Sequence, residues 1–371
     1  MSVVIGYSDG GTPQSGANLP ADSCARGTIK VNCAAYGRQS RPPSNDLQCW
    51  RHRAPGRGSL RPCRVPAVRK ILESRVVSDR AQPQVVAEIG CNHKGDMAIA
   101  RALIESAARF ANADFVKFQK RCNRELLTAE EFDGPHPNPS NSYGATYGAH
   151  REFLEFDPDQ HRQLMAWCAE FGTGYSTSVW DLTSTAEMIE LNPPMLKVPS
   201  ACNLHFAMLE MLARDYRGEI HISLGMTTPD EQDAIVAELE RLGAHQRTVL
   251  YACTSGYPVP FEQVCLREIA RLTELYAHRV KDIGFSGHHL GIAIDVAAVT
   301  LGAHWLERHF TLDRTWKGTD HSASLEPDGL RKLVRDVRAV ATALTYKSAP
   351  ILDIEAPQRA KLKRLPGVHL A

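Results

Sequence analysis

The stretch IGFSGHHLGIAIDVAAVTLGAHWLERH, residues 283–309, carries the reading that decides the fold. It opens on a short apolar run, Ile283–Ser286, passes through a longer helical segment at 291–302, and closes on a second run, Trp305–His309. A strand, a helix and a second strand in that order form a unit whose strands lie parallel in one sheet. Polar residues sit where each run ends: Ser286 and His288 after the first, Glu307 and His309 in the second.

The same pattern recurs toward the N-terminus. Further candidate strands are Val85–Ile89, Phe115–Gln119, Gly174–Ser178, Met195–Val198, Ile220–Ser223 and Val249–Cys253. Candidate helices fall near 96–110, 158–171, 183–191, 205–213, 229–242 and 262–278, and a last one near 327–345 follows the final strand. Several runs are almost continuously apolar, as strands buried on both faces are. Eight strand–helix pairs in about 260 residues fit a closed (β/α)8 TIM barrel. An open doubly wound sheet is the structural alternative, disfavoured because no GxGxxG fingerprint follows the first strand.

Composition frames this domain. The chain has 371 residues, a formal net charge of +1, 43% hydrophobic and 23% charged residues, which is a globular and not a disordered balance. No apolar run approaches the roughly 20 residues needed to span a bilayer. No basic patch followed by an apolar stretch marks a secretory signal, so a cytoplasmic location is expected. None of the 10 cysteines forms a CxxC pair, which weakens zinc-ribbon and thioredoxin-like readings.

The near-zero charge is an average of unlike parts. Residues 1–80 hold 13 Lys+Arg against 5 Asp+Glu, and the rest hold 30 against 37. The first segment also carries 8 Gly and 7 Pro and little periodicity. Residues 1–83 therefore read as a disordered basic N-terminal extension, 84–348 as the barrel and 349–371 as a C-terminal tail. Sparse aromatic interleaving and the lack of a nucleic-acid motif argue against a nucleic-acid arm.

Residues 120–157 form an unusually long connection, with Pro135, Pro137, Pro139, Tyr143, Gly144, Tyr147 and Gly148. A connection of that length in a compact domain is often a binding loop or lid, and a barrel puts it at the C-terminal face, where active sites sit.

The strand ends collect chemistry at that face: Glu88, Lys117, Ser178, Lys197, Ser200, Ser223, Ser255, Tyr257, Ser286, His288, His309 and Asp320. Lys117 and Lys197 stand in apolar contexts, and a buried ammonium requires an anion. That anion is a protein carboxylate such as Glu88, or a substrate phosphate or carboxylate held with the help of the neighbouring hydroxyls. A Schiff-base lysine is a third option. His288 and His309 end neighbouring strands and suit a divalent metal, with water and substrate completing its shell. His289 cannot point inward beside His288 and is expected behind it.

Taken together, the segments VAEIGCNHKGD (86–96), VKFQ (116–119), LKVPS (196–200), CTSGYP (253–258), GFSGH (284–288), LERHFTLD (306–313) and WKGTDHSASLEP (316–327) resemble the sialic acid synthase family. The similarity spans about residues 84–350, and the order and spacing of the motifs are specific. The resemblance implies a TIM barrel that condenses phosphoenolpyruvate with N-acetylmannosamine, its 6-phosphate or mannose 6-phosphate. The product would be a nine-carbon 2-keto sugar acid: N-acetylneuraminate, its 9-phosphate or KDN 9-phosphate. It implies that His288 and His309 hold Mn2+ or Mg2+. Lys117 and Lys197 would bind phosphoenolpyruvate with Ser178, Ser200, Ser223, Ser255, Ser286 and Tyr257. Glu88 would orient or deprotonate groups at the reacting centre, and Asp320 would hold an acceptor hydroxyl.

The family also implies a homodimer in which a small antifreeze-like domain reaches across to give the acceptor's N-acyl group an arginine. Residues 349–371 are too few for that domain, so another residue does this job, the acceptor lacks the group, or the protein is impaired. Two rival readings share the barrel: a Schiff-base lysine aldolase that needs no metal, and a non-catalytic sugar-binding paralogue.

Overall fold

A computed structural model of the chain describes residues 82–364. The expected basic extension therefore lies outside the described residues, except for its last two positions. Eight parallel strands close into one barrel in sequence order. They are β1 (Gln84–Gly90), β2 (Phe115–Lys120), β3 (Gly174–Val179), β4 (Met195–Val198), β5 (Glu219–Ser223), β6 (Thr248–Cys253), β7 (Asp282–Gly287) and β8 (Trp305–His309). Closure is made by β8 against β1, with Val86 opposite Glu307 and Glu88 opposite His309. Each expected strand is present, with ends moved by at most one residue.

The helices between strands are set by local signals. In Pro158–Phe171, Asp157 and Gln160 form a reciprocal capping box, Pro158 occupies the first turn, and Gly172 ends the helix in the left-handed region. Pro229–Arg241 starts the same way on Thr228 and Glu231. The expected helix at 262–278 is shorter, Arg267–Tyr276, because residues 261–263 form a separate 3-10 turn. The long connection after β2 is not plain loop. It holds three short helices, Asn123–Leu126, Ala129–Asp133 and Tyr147–Phe153. The tail also carries a short exposed helix, Ala356–Leu362.

Side chains alternate between the two faces of each strand, so every second residue enters the barrel. Val85, Ala87 and Ile89 of β1 join the shell packed between strands and helices. Val86 points the other way and meets Met195, Val249, Tyr251 and Trp305 in a separate apolar plug, with Phe115 against it. One step of two residues toward the strand C-termini lie Glu88, Lys117, Lys197, Ser223, Cys253 and Glu307. The plug closes the barrel below them, so these polar groups sit on an apolar floor and face one mouth.

Candidate active site

All twelve residues read from the sequence as site residues line one cavity of about 480 Å³ at this mouth. That volume lies in the ordinary range for small-ligand pockets, about 300–1,000 Å³. Ser178, Lys197, Ser223, Ser286 and Glu307 are buried there, Ser200 and Ser255 half-buried, and Tyr257 exposed.

The two lysines have partners within the protein. Lys117 forms an ion pair with Glu88 and donates to Ser178 Oγ at 2.6 Å. Lys197 donates to Glu307 Oε1 at 2.5 Å, and its ammonium stands 4.3 Å from the centre of the Tyr251 ring. The Glu307 carboxylate serves both lysines, because Lys117 Nζ lies 3.9 Å from its other oxygen. Ser286 donates to Glu307 Oε1 at 3.1 Å. Burial pushes the Lys197 pKa down, and the nearby Lys117 adds to this, while Glu307 opposes it. Burial alone would raise Glu307, yet the two ammoniums hold it below the usual carboxylate range. The floor is thus a balanced set of two cations and two carboxylates.

Two glycines allow the groups to converge. Gly90 adopts φ +54°, and a Cβ there would come within 3.0 Å of Gln119 Nε2, 3.1 Å of Glu88 Oε1 and 3.7 Å of Asp320 Oδ2. Gly225 follows β5, and a Cβ there would meet the hydroxyls of both Ser200 and Ser255 at 2.6 Å. The empty side of Gly225 is therefore where these two donors meet.

His288 and His309 face each other with ring centroids 5.4 Å apart. His288 donates from Nδ1 to the Thr254 carbonyl at 3.0 Å, which leaves the Nε2 lone pair free. Burial and the neighbouring His309 lower the His288 pKa to about 3, so the ring is neutral at physiological pH. His309 Nδ1 is buried without a hydrogen-bond partner and lies 3.9 Å from Asp320 Oδ2. Two facing imidazoles, His288 fixed in tautomer and His309 with an unsatisfied nitrogen, fit a divalent cation that takes its other ligands from water or substrate. No cluster of three or more candidate ligands exists among the described residues.

His289 turns away, as expected. It contacts Asp295 Oδ2 at 3.2 Å and Arg308 Nη1 at 3.0 Å outside the barrel. Arg308 also donates to the carbonyls of His289 and Gly291 at 2.6 and 2.9 Å, which fixes the backbone just after His288.

The NeuB family matches residues 103–349 of this chain. The chain belongs to the NeuB family. N-acetylneuraminate-9-phosphate synthase of Homo sapiens is 40% identical over 278 residues, which cover 75% of this chain and 76% of the relative. N,N'-diacetyllegionaminic acid synthase of Campylobacter jejuni is 33% identical, covering 70% of this chain and 77% of the relative. Among solved structures, the N-acetylneuraminic acid synthetase of Leptospira borgpetersenii superposes with a TM-score of 0.64 at 26% identity, covering 77% of this chain and 94% of the other.

This NeuB-family cavity also contains residues that the sequence reading did not assign. Glu307 was visible only as part of a strand end, although it is the counter-ion of both lysines. Cys91, Arg121, His136, Tyr147, His150 and Arg151 form a further wall, mostly from the long connection after β2.

Proposed function

We propose that this NeuB-family enzyme condenses phosphoenolpyruvate with a mannosamine-type sugar, forming a nine-carbon 2-keto sugar acid and releasing phosphate. The observation that carries this reading is the floor of the cavity. Two buried lysines and five serine hydroxyls open onto the same space as His288 and His309.

In this reading Lys117 and Lys197 bind the phosphate and carboxylate of phosphoenolpyruvate. Ser178, Ser200, Ser223, Ser255 and Ser286 donate hydrogen bonds to the same oxygens, and Tyr257 borders them. Glu88 and Glu307 keep the lysines from binding the anion too tightly before reaction, because in the free enzyme their charges are already balanced. As negative charge grows on the departing phosphate, preorganised cations and hydroxyls stabilise it without rearranging. A divalent metal, Mn2+ or Mg2+, on His288 and His309 would supply Lewis-acid polarisation of the acceptor aldehyde when bound.

The C2=C3 electron pair of phosphoenolpyruvate forms the new bond from C3 to the aldehyde carbon, while the C=O pair moves to the aldehyde oxygen, which becomes a hydroxyl. Water adds at the electron-poor C2, and the C2–O bond to phosphate breaks as the added oxygen becomes the 2-keto group; one proton of that water ends on the former aldehyde oxygen and the other on phosphate. Glu88 orients this water or takes its proton, and Gln119 steadies the carboxylate by donating from Nε2 to Oε1 at 3.1 Å. Asp320 accepts from an acceptor hydroxyl.

The test is phosphate release from phosphoenolpyruvate with N-acetylmannosamine, its 6-phosphate, mannose and mannose 6-phosphate, run with Mn2+, Mg2+ and EDTA. Release with a mannosamine-type acceptor is expected. No release with any acceptor would sink the proposal. In 18O water the label should enter the product at C2, and label in inorganic phosphate would overturn the C–O cleavage route.

A further inference from the structure

The strand that carries His309 also carries a buried arginine facing the other way. Side chains alternate along β8, so Glu307 and His309 enter the cavity while Arg308 lies on the outer side of the barrel wall. Arg308 is 1% exposed, and Asp295, on the helix Ala293–Thr300, is fully buried beside it. The two form an ion pair. A guanidinium is a rigid planar fork with five N–H donors, more than one carboxylate uses.

Other donors of this fork go to the chain just after β7. Nη2 donates to the His289 carbonyl at 2.6 Å, and Nη1 donates to the Gly291 carbonyl at 2.9 Å. Residues 288–292 belong to no helix or strand, so these bonds stand where a regular element would otherwise hold the backbone. On the other side of the turn, the His288 carbonyl accepts from the Val259 amide at 3.0 Å.

Register puts Arg308 between the two metal-site histidines. β7 and β8 pair with Gly287 opposite Arg308, so His288 and His309 are the next residues along their chains. The backbone of Arg308 leads directly into His309. Its side chain grips the carbonyls that follow His288. One residue thus ties the two imidazoles together from behind the barrel wall, and Asp295 keeps its buried charge in place. Neither Arg308 nor Asp295 lines the cavity, so neither touches a substrate there.

We infer that Arg308, held by Asp295, is a positioning residue that sets the spacing of His288 and His309 for a divalent cation. The inference rests on the metal assignment above and goes beyond it to the residues that keep two ligands in one geometry. Groups behind the ligands of a metal are worth about 10- to 100-fold in its affinity.

The test titrates Mn2+ into wild type, R308K and the double variant R308M/D295L, following the paramagnetic resonance signal of the ion, with thermal melting measured alongside. Replacing both members of a buried ion pair by apolar side chains costs far less stability than removing one, so the double variant should remain folded. It offers the carbonyls of His289 and Gly291 no donor, and its Mn2+ dissociation constant should rise about 10- to 100-fold. In R308K an ammonium stays beside Asp295 but cannot reproduce the fork, so its affinity should fall between the two. A pair that merely pins β8 to its helix would make Mn2+ affinity follow the melting temperature. Affinity within about twofold of wild type in either folded variant would overturn the inference. Hydrogen exchange of the metal-free proteins reads His288 directly. The Val259 amide, bonded to the His288 carbonyl, should exchange about 10-fold faster in the double variant, and unchanged exchange would overturn the positioning role. Wild type that bound no Mn2+ would remove the metal assignment, whereas faster exchange at Val259 would still sustain Arg308 as the residue that positions His288.

Discussion

Lys197 Nζ lies 2.5 Å from Glu307 Oε1, and both side chains are buried above the apolar plug of the barrel. They come from β4 and β8, four strands apart in the ring, so the contact crosses the barrel interior. Removing one member leaves the other charged and buried, which costs about 3–5 kcal/mol, whereas removing both costs far less. K197M and E307M should each be strongly destabilised, and the double variant should be more stable than the sum of the two losses predicts. Urea denaturation of the four proteins measures this. Additive losses would refute a coupled pair.

Gly225 offers a test of the hydroxyl cradle that deletes no polar group. In G225A the new methyl would approach Ser200 Oγ and Ser255 Oγ to 2.6 Å, so both hydroxyls must turn aside. Two weakened hydrogen bonds to an anion predict a rise in KM for phosphoenolpyruvate of about 10-fold or more. The melting temperature should change little if the serines move without the backbone. An unchanged KM would exclude Ser200 and Ser255 from the anion's contacts.

How much of this was legible in the sequence follows from where each signal lives. The strands were readable because parallel strands buried on both faces stand out as apolar runs. Glu88, Lys117 and Lys197 were readable because a charge inside such a run is conspicuous. Glu307 was just as conspicuous, but its partnership with Lys197 exists only once the barrel closes, and nothing near either residue in the chain announces it. Arg151, His136 and His150 were missed for a different reason. Their helices and turns are only a few residues long, too short for a period to emerge, and the segment reads as loop. The two histidine rings are oriented by the backbone N–H groups of Asn138 and Tyr143, which no side-chain pattern encodes.

The histidine pair predicts a dependence on divalent metal. Dialysis against EDTA should abolish phosphate release, and Mn2+ or Mg2+ should restore it. H288A should weaken metal binding by at least about 10-fold, read directly by titrating Mn2+ and following its paramagnetic resonance signal. Replacement of Thr254 would not test the contact, because His288 is held by the Thr254 backbone carbonyl. Full activity in EDTA would refute the metal assignment and favour an aldolase lysine, which borohydride would then trap in the presence of substrate.

Two histidines away from the metal pair predict how the fold responds to acid. Burial lowers the pKa of both His93 and His161 to about 3. His93 stacks on Phe156 with centroids 4.1 Å apart, and His161 Nδ1 meets the Tyr175 hydroxyl at 2.6 Å. In the unfolded chain each would titrate near 6.5. Between pH 6.5 and 3 the unfolded state therefore binds the extra protons, so their contribution is complete above pH 6.5 and is lost as pH falls. Each ring adds a slope of up to about 1.4 kcal/mol per pH unit in that window. Urea unfolding of the metal-free protein at several pH values should show H161Q less stable than wild type at pH 7, because Tyr175 loses its partner. The H161Q curve should also fall less steeply toward pH 4, and parallel curves would show that His161 is already protonated in the fold.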